Sequence, residues 1–311
     1  MALLTLVASY TKTWYTLQWT SSAVSFIQLG LWFVLPESPR WLIASKRTKE
    51  AENLIAKAAK LNGKTLNQKS VSSDMEMKST DSEQKVSETQ SLDFKELFNP
   101  HLRKTTAVMF LAWPIVTMGY YGITFGMASL SNNLFMDFAL SSLIEIPSYI
   151  LVLILMDIIG RKPIFSFSLL FTGISCLIVG SLDKEGDFSD LRRVLALVGK
   201  FFASGTFAIV YIYTAELYPT LIRSTAVGTC SLMARIGGII SPYIALYLPT
   251  VTNASAPFYV MGSVAVFGGM ITLTLPETLG SKLPETMEDV DLIKKNGKSF
   301  WKCANPCIKK Y

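Results

Sequence analysis

Histidine occurs once in the 311 residues, at His101, cysteine occurs four times, and Asp, Glu, Lys and Arg together make up only 17% of the chain. Each shortage removes a class of protein. Soluble domains carry nearer a quarter charged residues, so a chain this poor in charge, half hydrophobic and with a mean hydropathy of +0.37, does not read as one. One histidine and four cysteines without zinc-site spacing give no support for a metal centre. Cys176 and Cys230 fall in apolar runs as packing residues; Cys303 and Cys307 lie in the tail, where palmitoylation near a membrane is open but has no further support. No G-x-x-x-x-G-K-[ST] occurs, which excludes a P-loop ATP motor. The opening MALLTLVASY lacks the basic flank and small-residue cleavage site of a signal peptide. No cofactor and no metal are expected.

What is present is long apolar runs. Seven stretches reach the roughly 20 residues that a spanning helix needs: 15–35, 105–124, 134–158, 164–182, 194–218, 225–248 and 257–275. Residues 1–10 read as the stub of another. Backbone groups in lipid must bond among themselves, so runs of this length read as helices, and the chain as a polytopic α-helical protein of the bilayer. The formal charge of +6 raises nucleic acid as a partner, but the distribution argues against it. Lys and Arg crowd into 36–104, 160–163, the surroundings of Arg223 and the tail after Pro276, while the loops at 125–133 and 249–256 carry none. That alternation is the positive-inside pattern and places the long loop and the C-terminus in the cytoplasm. The one glycosylation acceptor, Asn253-Ala-Ser255, falls in a loop this topology places outside.

LPESPR at 35–40 and LPETLG at 275–280 each follow a span directly, with six spans between them. The economical reading is that each closes a six-helix repeat, as in carriers built from two related halves; a chance recurrence of a helix-end signal is the bland alternative. On the repeat reading the spans are numbered 6 to 12, and about four and a half helices are expected to precede the first residue. The long loop divides into three parts. Ser38 and Pro39 open a short helix. Thr48 caps an amphipathic helix that Asn62-Gly63 ends. Residues 68–90, rich in Ser, Lys, Glu and Asp, are expected to be disordered before Asp93 caps a further short helix, with Glu96 three residues on.

Spans 6, 9 and 12 carry no charge, as expected of supporting helices that face lipid. Glu145 lies near the middle of span 8, with Asp137 and Asp157 near its ends; Lys200 and Glu216 lie on span 10, and Arg235 lies mid-way along span 11. A charge at the bilayer centre costs about 2.5–3.5 kcal/mol on insertion scales, so these side chains either pair with one another or line a wet solute path. For Arg235 the path reading leads; for Lys200 and Glu145 both stay open. Aromatic residues accompany them: Trp113, Tyr120 and Tyr121 on span 7, and Phe201, Phe202, Phe207, Tyr211 and Tyr213 on span 10. Most are packing residues; Tyr120, Tyr121 and Tyr211 are candidates to meet an organic ion. Pro114 and Pro147 interrupt spans 7 and 8, and Gly237-Gly238 beside Arg235 allows a neighbouring helix close.

DIIGRKP at 157–163 resembles the D-x-x-G-R-[KR] loop of the major facilitator superfamily. AELYPTLIR, PESPRW, PET, IEIPSY and the span-10 stretch from Gly199 to Thr220 are similar to its organic cation, anion and carnitine transporter branch. The resemblance covers the chain from its first residues to about Val290. It implies an all-α membrane protein of the major facilitator fold, here the C-terminal six-helix half with helix 6 and a stub of helix 5. Helices 1–4, much of helix 5 and a disulfide-bonded extracellular loop of the family are expected to be missing. The resemblance also implies a cavity lined by helices 7, 8, 10 and 11, reached alternately from each side. Asp157, Arg161, Glu216 and Arg223, with Glu277, correspond to a cytoplasmic charge network that opens and closes the inner gate. Arg235 stands where cation carriers of the family have an acid and anion or carnitine carriers an arginine, so organic anions or carboxylate-bearing zwitterions are the expected substrates.

The expected organisation is residues 1–35 from the N-terminal half, a cytoplasmic loop over 36–104, the six-helix domain over 105–276 and a cytoplasmic tail over 277–311. The function expected is transport, not enzymatic catalysis, at the plasma membrane. One rival is a non-transporting truncated fragment or regulator, since the chain alone is expected to be inactive unless a partner chain supplies the N-terminal half. The other is a seven-helix receptor, against which stands the absence of an acid-Arg-Tyr turn and of Asn-Pro-x-x-Tyr.

Overall fold

The computed structural model describes residues 2–11, 13–31, 36–37, 39, 42, 47–63, 94–127, 134–182, 189–219, 222–281, 283–284 and 287–296. Among them there is no strand. The chain divides into two units, residues 11–93 and residues 1–10 with 94–311.

The smaller unit holds α2 (Trp14–Leu31) and α3 (Thr48–Leu61). The run expected to span over 15–35 is helical to Leu31, and 32–35 lie outside the described residues. Over its described residues α2 is not among the helices apolar enough to cross a membrane. Gln18, Gln28 and a set of Ser and Thr dilute its apolar residues. At α3 the cap position is Arg47 and Thr48 is already helical. Arg47 meets Glu50 at 2.6 Å and Glu37 at 3.0 Å, and no side chain caps the first N–H groups of the helix. The expected stop holds: Asn62 follows the last turn and Gly63 adopts φ +65°. Ser38, residues 68–90 and Asp93 lie outside the described residues.

The larger unit holds α1 (Ala2–Tyr10), a 3₁₀ turn (Phe94–Phe98) and seven further helices: α4 (Arg103–Met127), α5 (Leu134–Ile158), α6 (Arg161–Ser181), α7 (Ser189–Leu217), α8 (Arg223–Pro242), α9 (Ala256–Thr272) and α10 (Met287–Asn296). After Pro242, α8 widens into one π-helical stretch, Tyr243–Tyr247, and runs on to Val251, the usual relief where an α-ladder is interrupted. Helices α4 to α8 are each long and apolar enough to cross a bilayer, and α9 is a shorter apolar helix of 17 residues. The protein is an integral membrane protein built on these runs.

Small residues decide which helices touch, because lipid offers no hydrophobic drive for apolar surfaces to leave it. Helices α6 and α9 cross backbone to backbone at Gly173 and Gly262, where an added Cβ would come within 2.8–2.9 Å of the facing carbonyl. Helix α8 lies against α4 at Gly237, where a Cβ would overlap the Pro114 carbonyl. These crossings leave the spans unequally covered. The charge-free α6 is 56% buried along its spanning stretch, whereas α5 and α8, which carry Glu145 and Arg235, are 22% buried. Two of the three charge-bearing spans, α5 and α8, are thus the least covered, while α7, which carries Lys200 and Glu216, is 50% buried.

The segment after Pro276, expected only as a tail, contributes α10. Val290 and Ile293 are buried, and Val290 joins Leu97 and Leu102 in the core, with His101 Nδ1 2.7 Å from Asp291 Oδ2 beside them. Cys176 and Cys230 are buried and free; Cys303 and Cys307 lie outside the described residues.

The Gly237 contact yields a first expectation. Gly237→Ala forces α8 off α4 and lowers the thermal midpoint of the purified protein by an amount matching about 1–3 kcal/mol, the usual cost of overpacking. Gly228→Ala, with open space around its Cα, is neutral or stabilising in the same melt.

Candidate solute site and end network

Helices α5 and α7 run parallel, and their polar side chains meet at three levels. At one end Arg193 donates to Asp137 at 2.8 Å. Seven to eight residues further along, Lys200 lies 3.0 Å from Glu145. Just beyond, the Ser148 hydroxyl donates to the Phe201 carbonyl at 2.6 Å. The two mid-span charges left open between pairing and solute contact are therefore an ion pair, 1% and 13% exposed. Pairing at close range in a low dielectric removes most of the penalty that either charge alone would carry.

Helix α4 completes the cluster. The Tyr120 hydroxyl donates to Glu145 Oε1 at 2.5 Å, and Lys200 Nζ stands 3.3 Å over the Tyr120 ring. Thr124, one turn on from Tyr120, gives its proton to the Tyr120 carbonyl and turns its oxygen to Lys200 at 2.8 Å. The Lys200 ammonium thus has a carboxylate, a hydroxyl and a π face around it. The sequence reading missed Thr124; its i+4 relation to Tyr120 was legible, but not that Lys200 would reach both.

From Tyr120 an aromatic series runs outward. Phe207 stacks on Tyr120 at 4.9 Å and meets Tyr211 at 5.8 Å, and Tyr211 packs edge-on to Trp113 at 4.6 Å. Trp113 is buried and donates its indole N–H to Thr214, while Tyr211 is 39% exposed. Tyr121 is half-buried, edge-on to Tyr120 at 5.2 Å and stacked on Phe125. Tyr120 is thus closed into the cluster, Tyr121 flanks it, and Tyr211 opens onto the surface of the bundle.

Arg235 is exposed on α8, among the exposed Leu232, Ile236 and Ile239, and makes no ion pair with any described residue. Its depth is fixed by Gly237, which lies on Pro114 next to Trp113, so Arg235 and Tyr211 sit at similar heights.

At the end of the bundle away from Asp137, Arg161 gathers the charges. Its guanidinium contacts Asp157 at 3.2 Å, Glu216 at 3.1 Å and the Met156 carbonyl at 2.9 Å. The second oxygen of Glu216 accepts from Thr278 at 2.6 Å. Glu277 joins through the backbone: its carboxylate accepts from the N–H groups of Arg161, Lys162, Thr278 and Leu279 at 2.9–3.1 Å. Two of those donors form the first turn of α6, where a helix favours an anion. The motif around them becomes intelligible. Gly160 takes φ +113°, and a Cβ there would come 2.7 Å from Glu277 Oε2, so no side chain fits. Pro163 sits in the first turn, where no N–H is needed. The Tyr213 hydroxyl ties α7 to the same corner through the Pro276 carbonyl at 2.6 Å.

Arg223 does not join this network. It donates to the Tyr218 carbonyl at 3.4 Å, its Nη2 is buried without a partner, and it makes no ion pair with a described residue. Seven residues from Glu216 would mean two turns of one helix, but α7 ends at Leu217 and α8 starts at Arg223, so the two side chains are not on one face. Asn253, at the opposite end, is exposed in the turn before α9, and the Ser255 hydroxyl is 3.4 Å from the buried Arg192. Among the described residues no group of His, Cys, Asp and Glu is placed to hold a metal ion.

Comparison with known proteins meets this geometry. Residues 2–289 match the family model described as sugar (and other) transporter. Solute carrier family 22 member 3 of Rattus norvegicus is 35% identical over 285 residues, which cover 92% of this chain and 50% of that protein. Organic cation/carnitine transporter 2 of Homo sapiens is 34% identical over 291 residues, covering 94% of this chain and 51% of that one. The chain therefore spans about half the length of the curated relatives it matches. Among solved structures, the major facilitator superfamily proton:xylose symporter XylE aligns with a TM-score of 0.55 at 16% identity, covering 88% of this chain and 58% of that chain, which shows the fold. A bundle of charge-paired, glycine-crossed spanning helices on the major facilitator pattern, matched along nearly its whole length by one family model, belongs to the sugar (and other) transporter family.

Proposed function

We propose that this chain forms one wall of an alternating-access carrier for small organic ions, with a preference for anions or carboxylate-bearing zwitterions. The observation that carries the reading is Arg235. Of the charges near mid-span, Glu145 and Lys200 neutralise each other, while Arg235 is exposed without an ionic partner among the described residues. A lone guanidinium facing acyl chains costs several kcal/mol, and a wet path with an anionic solute removes that cost. Arg235 and Tyr211 then meet the substrate directly, Tyr120 and Tyr121 support them from behind, and the name of one relative, organic cation/carnitine transporter 2, supports an organic-ion substrate. Solute translocation, not catalysis, is the activity on this reading.

The least buried helices, α5 and α8, face the opposite wall, which a second six-helix unit supplies. The half-length match to the relatives favours that requirement: residues 105–276 act as the carrier domain only when residues 1–35 or another chain connect it to such a unit. On this reading residues 36–104 and 277–311 lie in the cytoplasm of a plasma-membrane protein, with Asn253 on the far side as a glycosylation acceptor, a topology that the distribution of Lys and Arg supports. The Arg161 cluster is then the inner gate: three acidic side chains and one arginine at a helix corner form a contact that can exist in two arrangements.

The test joins the first half of organic cation/carnitine transporter 2 ahead of this sequence and measures uptake. Arg235→Asp cuts uptake of aromatic carboxylates at least about tenfold, the effect of losing roughly 1.4 kcal/mol of binding. Uptake of tetraethylammonium with neither carboxylates nor carnitine moving would refute the substrate class. Arg235→Cys reacts with a membrane-impermeant thiol reagent; protection from it refutes the wet path. For the gate, Arg161→Ala abolishes uptake while surface protein persists, and the exchanged pair Arg161→Glu with Glu216→Arg regains part of it, since the attraction is restored with its sign reversed.

A further inference from the structure

The ammonium of Lys200 has more recognition around it than neutralising Glu145 requires. Glu145 Oε1 at 3.0 Å balances its charge. Thr124 Oγ1 at 2.8 Å adds an acceptor that has no freedom to turn away, because its own proton is committed to the Tyr120 carbonyl. The Tyr120 ring centroid at 3.3 Å adds a π face, and the ring is held in place by its hydroxyl bond to Glu145 and by Phe207 stacked at 4.9 Å. Carboxylate, hydroxyl and aromatic face around one nitrogen are the elements that recognise an organic ammonium ion. Only the nitrogen comes from α7; the three acceptors come from α4 and α5 and remain when the lysine is removed. The aromatic series Phe207–Tyr211 connects this cage to the exposed surface of the bundle.

We propose that Lys200 is a tethered occupant of an ammonium-binding cage formed by Tyr120, Thr124 and Glu145, and that this occupancy excludes free organic ammonium groups. This rests on the transport reading and narrows it. With the cage filled from within, the ammonium end of a zwitterion finds no site, and the substrate class contracts to anions attracted by Arg235. Lys200 is thereby a specificity-determining residue that acts by occupying a site, not by touching the substrate.

The experiment is a thermal melt of the full chain, purified in detergent, titrated with methylammonium chloride against sodium chloride at equal ionic strength. Lys200→Ala empties the cage; its midpoint rises saturably with methylammonium, by about 3 °C at concentrations well above the dissociation constant, while the wild type shows only the salt response. Adding Glu145→Gln to Lys200→Ala abolishes the rise. A folded Lys200→Ala protein whose melt ignores methylammonium overturns the proposal, as does an equal rise in the wild type. Should Lys200→Ala fail to fold in plain buffer, its recovery when methylammonium is present during extraction supports the proposal. If it is not recovered, Lys200→Gln takes the same titration, and a melt of that protein that ignores methylammonium refutes the cage. The melt requires no transport, so its failure is separable from failure of the carrier reading, which the Arg235 uptake measurement decides alone.

Discussion

The cost of an ionised side chain at bilayer depth governs this molecule. Water and hydrocarbon differ so much in their ability to solvate charge that each buried charge must find a partner, reach an aqueous surface or go unused. Along the α5–α7 seam, Asp137 meets Arg193 and Glu145 meets Lys200; at the end of the bundle Asp157 and Glu216 share Arg161. The pairs fix the register of the two parallel helices, since a shift by one residue would separate every acid from its cation. Apolar packing alone could not do this, because one leucine against lipid is worth much the same as its neighbour.

Glycines supply the second constraint. With charges setting register, close approach sets which helices are neighbours: α6 on α9 through Gly173 and Gly262, and α8 on α4 through Gly237. These contacts bring Trp113 and Tyr211 to the depth of Arg235 and leave α5 and α8 uncovered on the side where a second wall would stand. Packing thus leads to the candidate path: Arg235, assigned to the solute, stands on one of the two least covered spans.

The corner at Gly160 joins both constraints. The D-x-x-G-R-K stretch acts as one device, in which a left-handed glycine lets the Glu277 carboxylate lie on the first turn of α6 while Arg161 reaches Asp157 and Glu216. Most of its contacts are with backbone N–H groups, so the geometry persists whichever acid Arg161 favours. A rigid cap beside an exchangeable ion pair is what a gate needs, because the part that changes must not unravel the part that stays.

Hydropathy read along the chain established the membrane class, the bounds of the spanning runs from α4 to α9 within about five residues, and which residues carry charge at depth. Hydropathy and the insertion cost of charge are local quantities, readable one segment at a time. Pairing is not local. Glu145 with Lys200, Glu277 with two amides of α6, and Thr124 as third acceptor became visible only once the helices were placed, because each involves groups whose meeting depends on helix rotation. The same reason explains the misses. Arg223, which the family resemblance placed in the network, lies beyond the break between α7 and α8 and makes no ion pair with a described residue, and Thr124 carries no charge to single it out. Composition says what a helix can tolerate; only tertiary contact decides which side of it turns inward.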